Sequence, residues 1–170
     1  MTSDVYLLDT NIACCLWDDQ NAKSIIARDF LTSLGRDATA IVSVVSLAEI
    51  EYGLKISPAI DPSRHSLVRN AMSSFPLVQE ITKHTAEYYS TIRAELFKLY
   101  STSNNRGCLT SKRVEDLIDR TTSKELGIQE NDLWIAAQAM EWDAVLVTND
   151  SMKRIASLQL NGQLRLTKWC

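Results

Sequence analysis

Short apolar runs and amphipathic stretches alternate along this chain, and the alternation limits the folds that it can adopt. Runs rich in aliphatic and β-branched residues predict strands at 5–8, 40–45, 77–78, 144–148 and 164–167. The stretches between them predict helices at 11–17, 21–34, 46–55, 62–75, 83–100, 113–122, 131–142 and 151–157. Strands that alternate with helices form mainly parallel sheets covered by helices on both faces, so the predicted class is α/β.

The length and composition fit one globular domain over residues 1–170. Of these residues 45% are apolar and 23% are charged, which is typical of a soluble protein with a full core. The longest nearly uncharged stretch, 38–48, is shorter than the roughly 20 residues of a transmembrane helix, so we expect no membrane span. The net charge of −3 argues against binding nucleic acid by bulk positive charge alone. The four cysteines form no C-x-x-C pair, which predicts free thiols in a reducing cytoplasm.

Acidic residues follow the predicted strands, or open the next helix, at four places. Asp9 ends the first strand and Asp150 follows the fourth. Glu49 lies in the predicted first turn of the helix after the second strand, and Asp132 opens an alanine-rich helix. Ligands of parallel α/β sheets bind beyond the carboxyl ends of the strands, so these four acids are candidates for one shared site.

Each acid taken alone also has a purely structural interpretation. Ser46 and Glu49 match a capping box, and Asp9, Asp132 and Asp150 could be helix caps or first-turn acids. The combination favours a metal site, because several carboxylates in one partly buried pocket repel one another and a divalent cation offsets that repulsion. Ligand sets made only of oxygen suit Mg²⁺ or Mn²⁺.

The four acidic segments together carry a family resemblance. They read Tyr6-Leu7-Leu8-Asp9-Thr10-Asn11, Ser46-Leu47-Ala48-Glu49-Ile50-Glu51-Tyr52-Gly53, Asn131-Asp132-Leu133-Trp134-Ile135-Ala136-Ala137 and Leu146-Val147-Thr148-Asn149-Asp150. In order and spacing along the whole chain, they resemble the PIN-domain family, and most closely its VapC-type toxin ribonucleases.

The resemblance implies an activity, a cofactor and partners. It places the catalytic, metal-binding acids on Asp9, Glu49, Asp132 and Asp150, with Asn11 and Thr148 as supporting residues. It implies an endoribonuclease that uses Mg²⁺ or Mn²⁺ to activate a water for attack on an RNA phosphodiester. It also implies a cognate antitoxin protein and a homodimer.

One segment departs from the family pattern. Residues 101–129 form a longer connection into the Asp132 helix and carry both basic and acidic side chains. They could form an added element that contacts RNA or a partner. The alternative is a solvated loop followed by the short helix 113–122, since charges of both signs are typical of solvated faces.

The same residues bear on three other possible functions. An aspartate-nucleophile phosphatase resembling the haloacid dehalogenase family needs D-x-D at the first strand, where this chain has Asp9 and Asn11. A phospho-receiver needs a paired acid at that strand, which is also absent. The remaining alternative is a non-catalytic PIN-like module that binds RNA or protein, because a fold does not prove a function.

Overall fold

The computed structural model describes residues 4–57, 61–150, 152–158, 160 and 164–170. The chain divides into two compact units. The first unit comprises Met1–Glu80, Trp142–Asn149 and Arg165–Cys170, and the second comprises Ile81–Glu141 and Asp150–Leu164. That residues 1–170 act as a single domain stays a prediction.

The described residues contain seven strands and seven α-helices. The strands are β1 (Val5–Leu8), β2 (Thr39–Ser43), β3 (Val78–Gln79), β4 (Ile118–Asp119), β5 (Lys124–Glu125), β6 (Val145–Val147) and β7 (Arg165–Thr167). The helices are α1 (Thr10–Trp17), α2 (Ser24–Ser33), α3 (Val44–Ile56), α4 (Pro62–Ser74), α5 (Lys83–Tyr100), α6 (Glu130–Glu141) and α7 (Lys153–Ala156). None of the described helices is long and apolar enough to cross a membrane.

The first unit is built on a parallel five-stranded sheet in the order β3-β2-β1-β6-β7. The central strand β1 pairs on one side with β2, where Leu8 lies opposite Val42, and on the other with β6, where Leu8 lies opposite Val147. All three of these side chains are fully buried. The predicted α/β class with a mainly parallel sheet is therefore confirmed.

Helix α1 forms the middle of the first unit's core. It packs against α2, α3 and α4, and its Ile12 and Ala13 are completely buried. The predicted start of α4 is confirmed, because the Asp61 carboxylate accepts hydrogen bonds from the backbone N–H groups of Ser63 (3.0 Å) and Arg64 (3.2 Å). The parallel sheet and α1 together fix where the chain leaves β1, at Asp9.

Helix α3 begins two residues earlier than predicted. Its N-cap is Ser43, whose hydroxyl accepts a hydrogen bond from the N–H of Val45 at 2.9 Å, so β2 ends at Ser43. The predicted capping box of Ser46 and Glu49 is therefore wrong. The β-branched pair Val44-Val45 favours a strand by propensity, but the hydroxyl cap before it starts the helix. Glu49 consequently lies in the second turn of α3, away from the helix terminus.

The second unit is centred on the packing of α5 against α6. The predicted helix 83–100 is confirmed by α5, which is capped by Thr82. Glu141, at the end of α6, accepts hydrogen bonds from the Thr82 hydroxyl (2.6 Å) and from the Thr85 hydroxyl. These bonds join the start of α5 to the end of α6, so the two helices run as a fixed antiparallel pair.

The segment 101–129 is an ordered part of the second unit. A 3₁₀ turn (Val114–Asp116) and the antiparallel hairpin β4–β5 replace the predicted helix 113–122, which is wrong. The Asp119 carboxylate accepts hydrogen bonds from the N–H groups of Thr121 (2.8 Å) and Thr122 (3.2 Å), which turns the chain back after β4.

Apolar residues anchor this segment within the second unit. Val114, Leu117, Leu126 and Ile128 are at most 6% exposed. These four residues depart from the interpretation of the segment as solvated, whereas most of residues 102–125 are exposed, as that interpretation expects.

Candidate active site

Asp9 lies at the carboxyl end of β1, where it is the N-cap of α1 and only 3% exposed. Its Oδ1 accepts a hydrogen bond from the N–H of Thr10 at 2.7 Å. Its Oδ2 accepts from the Asn11 amide Nδ2 at 2.9 Å and from the Thr148 hydroxyl at 2.6 Å. At least three donors therefore converge on one buried carboxylate and hold its orientation.

The two residues predicted to support the site both contact Asp9. Asn11 is in the first turn of α1, and Thr148 follows β6, the strand paired with β1. The Asn11 amide also donates to the Thr148 hydroxyl at 3.3 Å, so the two side chains and Asp9 form a closed triangle. The sheet register makes this possible, because it brings the ends of β1 and β6 side by side.

Glu49 joins this group of residues through Thr10. The Thr10 hydroxyl donates to the Glu49 carboxylate and lies 3.0 Å from the fully buried hydroxyl of Ser46. Thr10 thus contacts both acids of the first unit, Asp9 through its backbone and Glu49 through its side chain. Ser46 and Glu49 lie three residues apart on α3, so one face of that helix is directed at the start of α1.

Asp132 lies in the first turn of α6, in the second unit, and is partly exposed. Its Oδ2 accepts a hydrogen bond from the N–H of Gln129 at 2.7 Å, and its own N–H donates to the Gln129 carbonyl at 3.1 Å. The alternative interpretation of Asp132 as a first-turn acid that caps its helix is therefore confirmed. The same bond also fixes the direction of the carboxylate.

The start of α6 is tied to the segment 101–129. Glu115 accepts a hydrogen bond from the N–H of Glu130 at 3.1 Å, and Arg93 of α5 forms an ion pair with the Glu130 carboxylate while donating to the Lys112 carbonyl at 3.0 Å. Burial raises the pKa of Glu130.

Trp134 stacks on Tyr89 with the ring centroids 3.9 Å apart, so this aromatic packs within the second unit.

Asp150 directly follows Asn149 at the end of the β6 segment and is exposed. Its carbonyl accepts a hydrogen bond from the N–H of Met152 at 2.9 Å, which starts the turn into α7. Asp150 belongs to the second unit, and Asp9 and Glu49 belong to the first. That all four acids meet in one site stays a prediction.

An open cleft of about 250 Å³ lies beside Glu49. Thr10, Cys14 and Glu49 line it on one side, and Gly53 and Leu54 of α3 extend it. Burial raises the pKa of the Cys14 thiol to about 11, and the neighbouring Cys15 and Glu49 add to the rise. The thiol is therefore protonated and unreactive near neutral pH.

The candidate ligand atoms of the first unit are oxygens, the ligand type that hard divalent cations prefer. Asp9 and Glu49 supply carboxylates, and no histidine or thiolate enters the contacts described for them. Within the described ranges no three His, Cys, Asp or Glu side chains are arranged to hold a metal ion. The chemistry of the donors therefore fits Mg²⁺ or Mn²⁺, and the metal role of the four acids stays a prediction.

Three residues that contact this site were not predicted to do so from the sequence. Thr10 and Ser46 lie inside the recognised segments, but the sequence predicts no role for Thr10 and only a helix-capping role for Ser46. The third is Trp169, whose indole N–H donates to the Asn11 amide oxygen at 3.0 Å across 158 residues of sequence. The short motifs contain a signal for Thr10 and Ser46, and no local pattern marks Trp169.

Comparison with protein families decides the class. The profile of the PIN domain family matches residues 6–157, which is most of the chain. The chain belongs to the PIN domain family. The resemblance noted from the four acidic segments is thereby confirmed, and Asp9, Glu49, Asp132 and Asp150 all lie within the matched PIN domain.

Known PIN-domain proteins resemble this one along nearly its full length. Ribonuclease VapC2 of Rickettsia felis is 29% identical over 160 residues, which cover 93% of this chain and 97% of the relative. VapBC2 of Rickettsia felis, bound to a DNA fragment from its promoter, has a TM-score of 0.65 at 23% identity, with 98% of this chain and 99% of that chain covered. DNA-bound VapBC of Salmonella typhimurium has a TM-score of 0.60 at 23% identity, with 98% of this chain and 99% of that chain covered. At these identities the two solved structures show a shared fold.

Proposed function

We propose that this PIN-domain protein is a metal-dependent endoribonuclease that hydrolyses RNA phosphodiester bonds, and that it is the toxin of a toxin–antitoxin pair in the cytoplasm. The single observation that carries the proposal is the family match together with a buried, multiply bonded Asp9 at the carboxyl end of the central strand. The full-length similarity to a ribonuclease supports the same activity.

In this proposal Asp9, Glu49, Asp132 and Asp150 are the catalytic acids and would hold one or two Mg²⁺ or Mn²⁺ ions. When bound, the ion supplies a water of lowered pKa and stabilises negative charge on the phosphoryl and leaving oxygens. The products are a 5′-phosphate and a 3′-hydroxyl, and no 2′-hydroxyl attack is needed. The reaction therefore requires no histidine pair.

The residues of the first unit have separable tasks in this mechanism. Asn11, Thr148 and the Thr10 N–H fix the rotation of the Asp9 carboxylate, which sets the direction in which it would meet an ion. Thr10 holds the Glu49 carboxylate through its hydroxyl. Preorganisation of this kind lowers the cost of assembling charged ligands around an ion.

The direct test compares Asp9→Asn with Asp29→Asn, a matched change at an exposed carboxylate of α2. Both purified proteins are incubated with a structured RNA and EDTA, Mg²⁺ or Mn²⁺, and the 5′ ends of the products are sequenced. We expect cleavage by the wild type and by Asp29→Asn with metal only, and none by Asp9→Asn. If the wild type leaves RNA intact with every metal, the protein is a non-catalytic PIN-like module.

We also propose a protein partner, the cognate antitoxin, and a homodimer as the basic assembly. Three large apolar side chains of the first unit, Tyr52, Ile56 and Leu67, are more than 60% exposed on α3 and α4. Tyr52 and Ile56 are four residues apart on α3 and so lie side by side, and adjacent exposed apolar side chains favour protein–protein contact. Light scattering of the purified protein tests the homodimer. If a short open reading frame adjoins the gene, co-expression of its product tests whether RNA cleavage is blocked.

A further inference from the structure

We propose that Trp169 is a positioning residue for the nuclease reaction, and that it acts by orienting the Asn11 amide, which in turn holds Asp9. The inference rests on the proposed function for its link to catalysis. The contacts that carry it lie wholly in the first unit and join residues far apart in the sequence.

A directional chain of hydrogen bonds runs from the indole to the acid. Trp169 Nε1 donates to Asn11 Oδ1 at 3.0 Å, and Asn11 Nδ2 donates to Asp9 Oδ2 at 2.9 Å. An indole N–H is a donor only, so it selects the orientation of the amide that turns the oxygen toward Trp169. The NH₂ group is thereby directed at Asp9 and Thr148, both of which accept from it.

Trp169 is itself held in place. Its side chain is 6% exposed and belongs to the buried cluster that contains Leu8 and Ile12. Its backbone N–H donates to the Asn149 side-chain oxygen at 3.4 Å, and the Lys23 ammonium lies 5.8 Å from the ring centroid. The ring cannot swing away from Asn11 without breaking core packing, so the orientation that it imposes is fixed.

Without the indole donor, the Asn11 amide oxygen loses this partner, and only the contacts of its NH₂ group to Asp9 and Thr148 still hold the amide. The amide can then tilt about its side-chain bonds, which weakens its hydrogen bond to the Asp9 carboxylate. Asp9 would then rotate more freely. Changes in residues that orient a metal ligand typically cost about 10–100-fold in metal affinity or activity.

The first test needs neither metal nor RNA. In Asn11→Ala, with Trp169 intact, we expect the Trp169 indole proton to shift upfield and to exchange faster with solvent, as read from ¹⁵N-correlated NMR spectra. In Trp169→Phe, the Asn11 side-chain amide resonances should shift. The control is Trp17→Phe, which alters another buried tryptophan of the same cluster, packed edge-on against Phe75. It should leave the Asn11 amide resonances unchanged.

The second test is a double-mutant cycle on the dissociation constant for Mn²⁺, measured by titration calorimetry. We expect Trp169→Phe to weaken Mn²⁺ binding by about tenfold, and by less than twofold when Asn11→Ala is already present. The wild type and Trp17→Phe should bind alike. RNA cleavage by Trp169→Phe should lose about tenfold in kcat with KM unchanged.

The outcomes separate this inference from the proposed function. Unmoved indole and amide resonances, additive losses in the cycle, or an equal loss from Trp17→Phe would overturn the role of Trp169. If the wild type binds no Mn²⁺ and cleaves no RNA, the proposed function fails, and the role of Trp169 in that reaction fails with it. The metal-free spectra then still decide whether Trp169 orients Asn11.

Discussion

Replacing Asp9 with asparagine preserves the shape of the side chain. One of its two carboxylate oxygens, which accept hydrogen bonds, becomes an NH₂ group, which donates them. The Oδ1 position faces the N–H of Thr10, and the Oδ2 position faces the Asn11 amide NH₂ and the Thr148 hydroxyl. The Thr148 hydroxyl can turn to accept a hydrogen bond, but the other two groups are donors only. Whichever way the new amide turns, its NH₂ therefore faces a donor.

The cost follows from this geometry. One buried donor is left without its acceptor, which destabilises a protein by about 1–3 kcal/mol. Asparagine caps a helix as well as aspartate does, so no further loss arises at the start of α1. For a chain of this length, a loss of about 2 kcal/mol lowers Tm by roughly 4–8 °C. Thermal unfolding in EDTA measures the effect without any contribution from bound metal.

The opposite result is equally measurable. If repulsion among the acids dominated the metal-free protein, Asp9→Asn would keep or raise Tm, and the hydrogen-bond reasoning would be refuted. Asp29→Asn serves as the control, because Asp29 is exposed and its replacement should change the free energy of unfolding by no more than about 0.5 kcal/mol.

Three further predictions rest on other contacts. Arg64 lowers the pKa of Asp18 below its ordinary 3.8, so Arg64→Met should lower the urea midpoint of unfolding at pH 7, and urea titrations should show this difference disappearing as the pH falls through the lowered pKa. Iodoacetamide at pH 8 should label the exposed Cys108 and spare Cys14, whose pKa is about 11; equal labelling in the mass spectrum would contradict this. Thr10→Val should reduce RNA cleavage by about tenfold with little change in Tm, and unchanged cleavage would show that the hydroxyl does not matter.

The parallel sheet could be predicted because its central strands β1, β2 and β6 are compact, mostly apolar runs. The errors in the prediction lie where one sequence pattern fits two kinds of structure. Val114 and Leu117 are three residues apart and both buried, which resembles one face of a helix. The structure uses that spacing in a 3₁₀ turn followed by a hairpin, because Asp119 bonds to the turn that follows. The start of α3 was misplaced because Val44 and Val45 fit a strand as well as a helix.

The candidate site shows a similar division. Asp9 could be found from its place at a strand end, and Asn11 and Thr148 from the family resemblance of the segments that contain them; the structure brings the three side chains into contact. Trp169 could not be found, since its role depends on a bond across 158 residues of sequence that no periodicity reveals. The capping box at Glu49 matched a valid motif, but Ser43 already occupied that role.

The strand order has a consequence for how the protein is made. Asp9 and Thr148, which bonds to it, are separated by 139 residues of sequence. Strand β6 can pair with β1 only after the chain through helix α6 has been translated. A nascent chain that has not yet reached Thr148 therefore lacks this hydroxyl partner of Asp9, so any activity that depends on the pairing can arise only after Thr148 has left the ribosome.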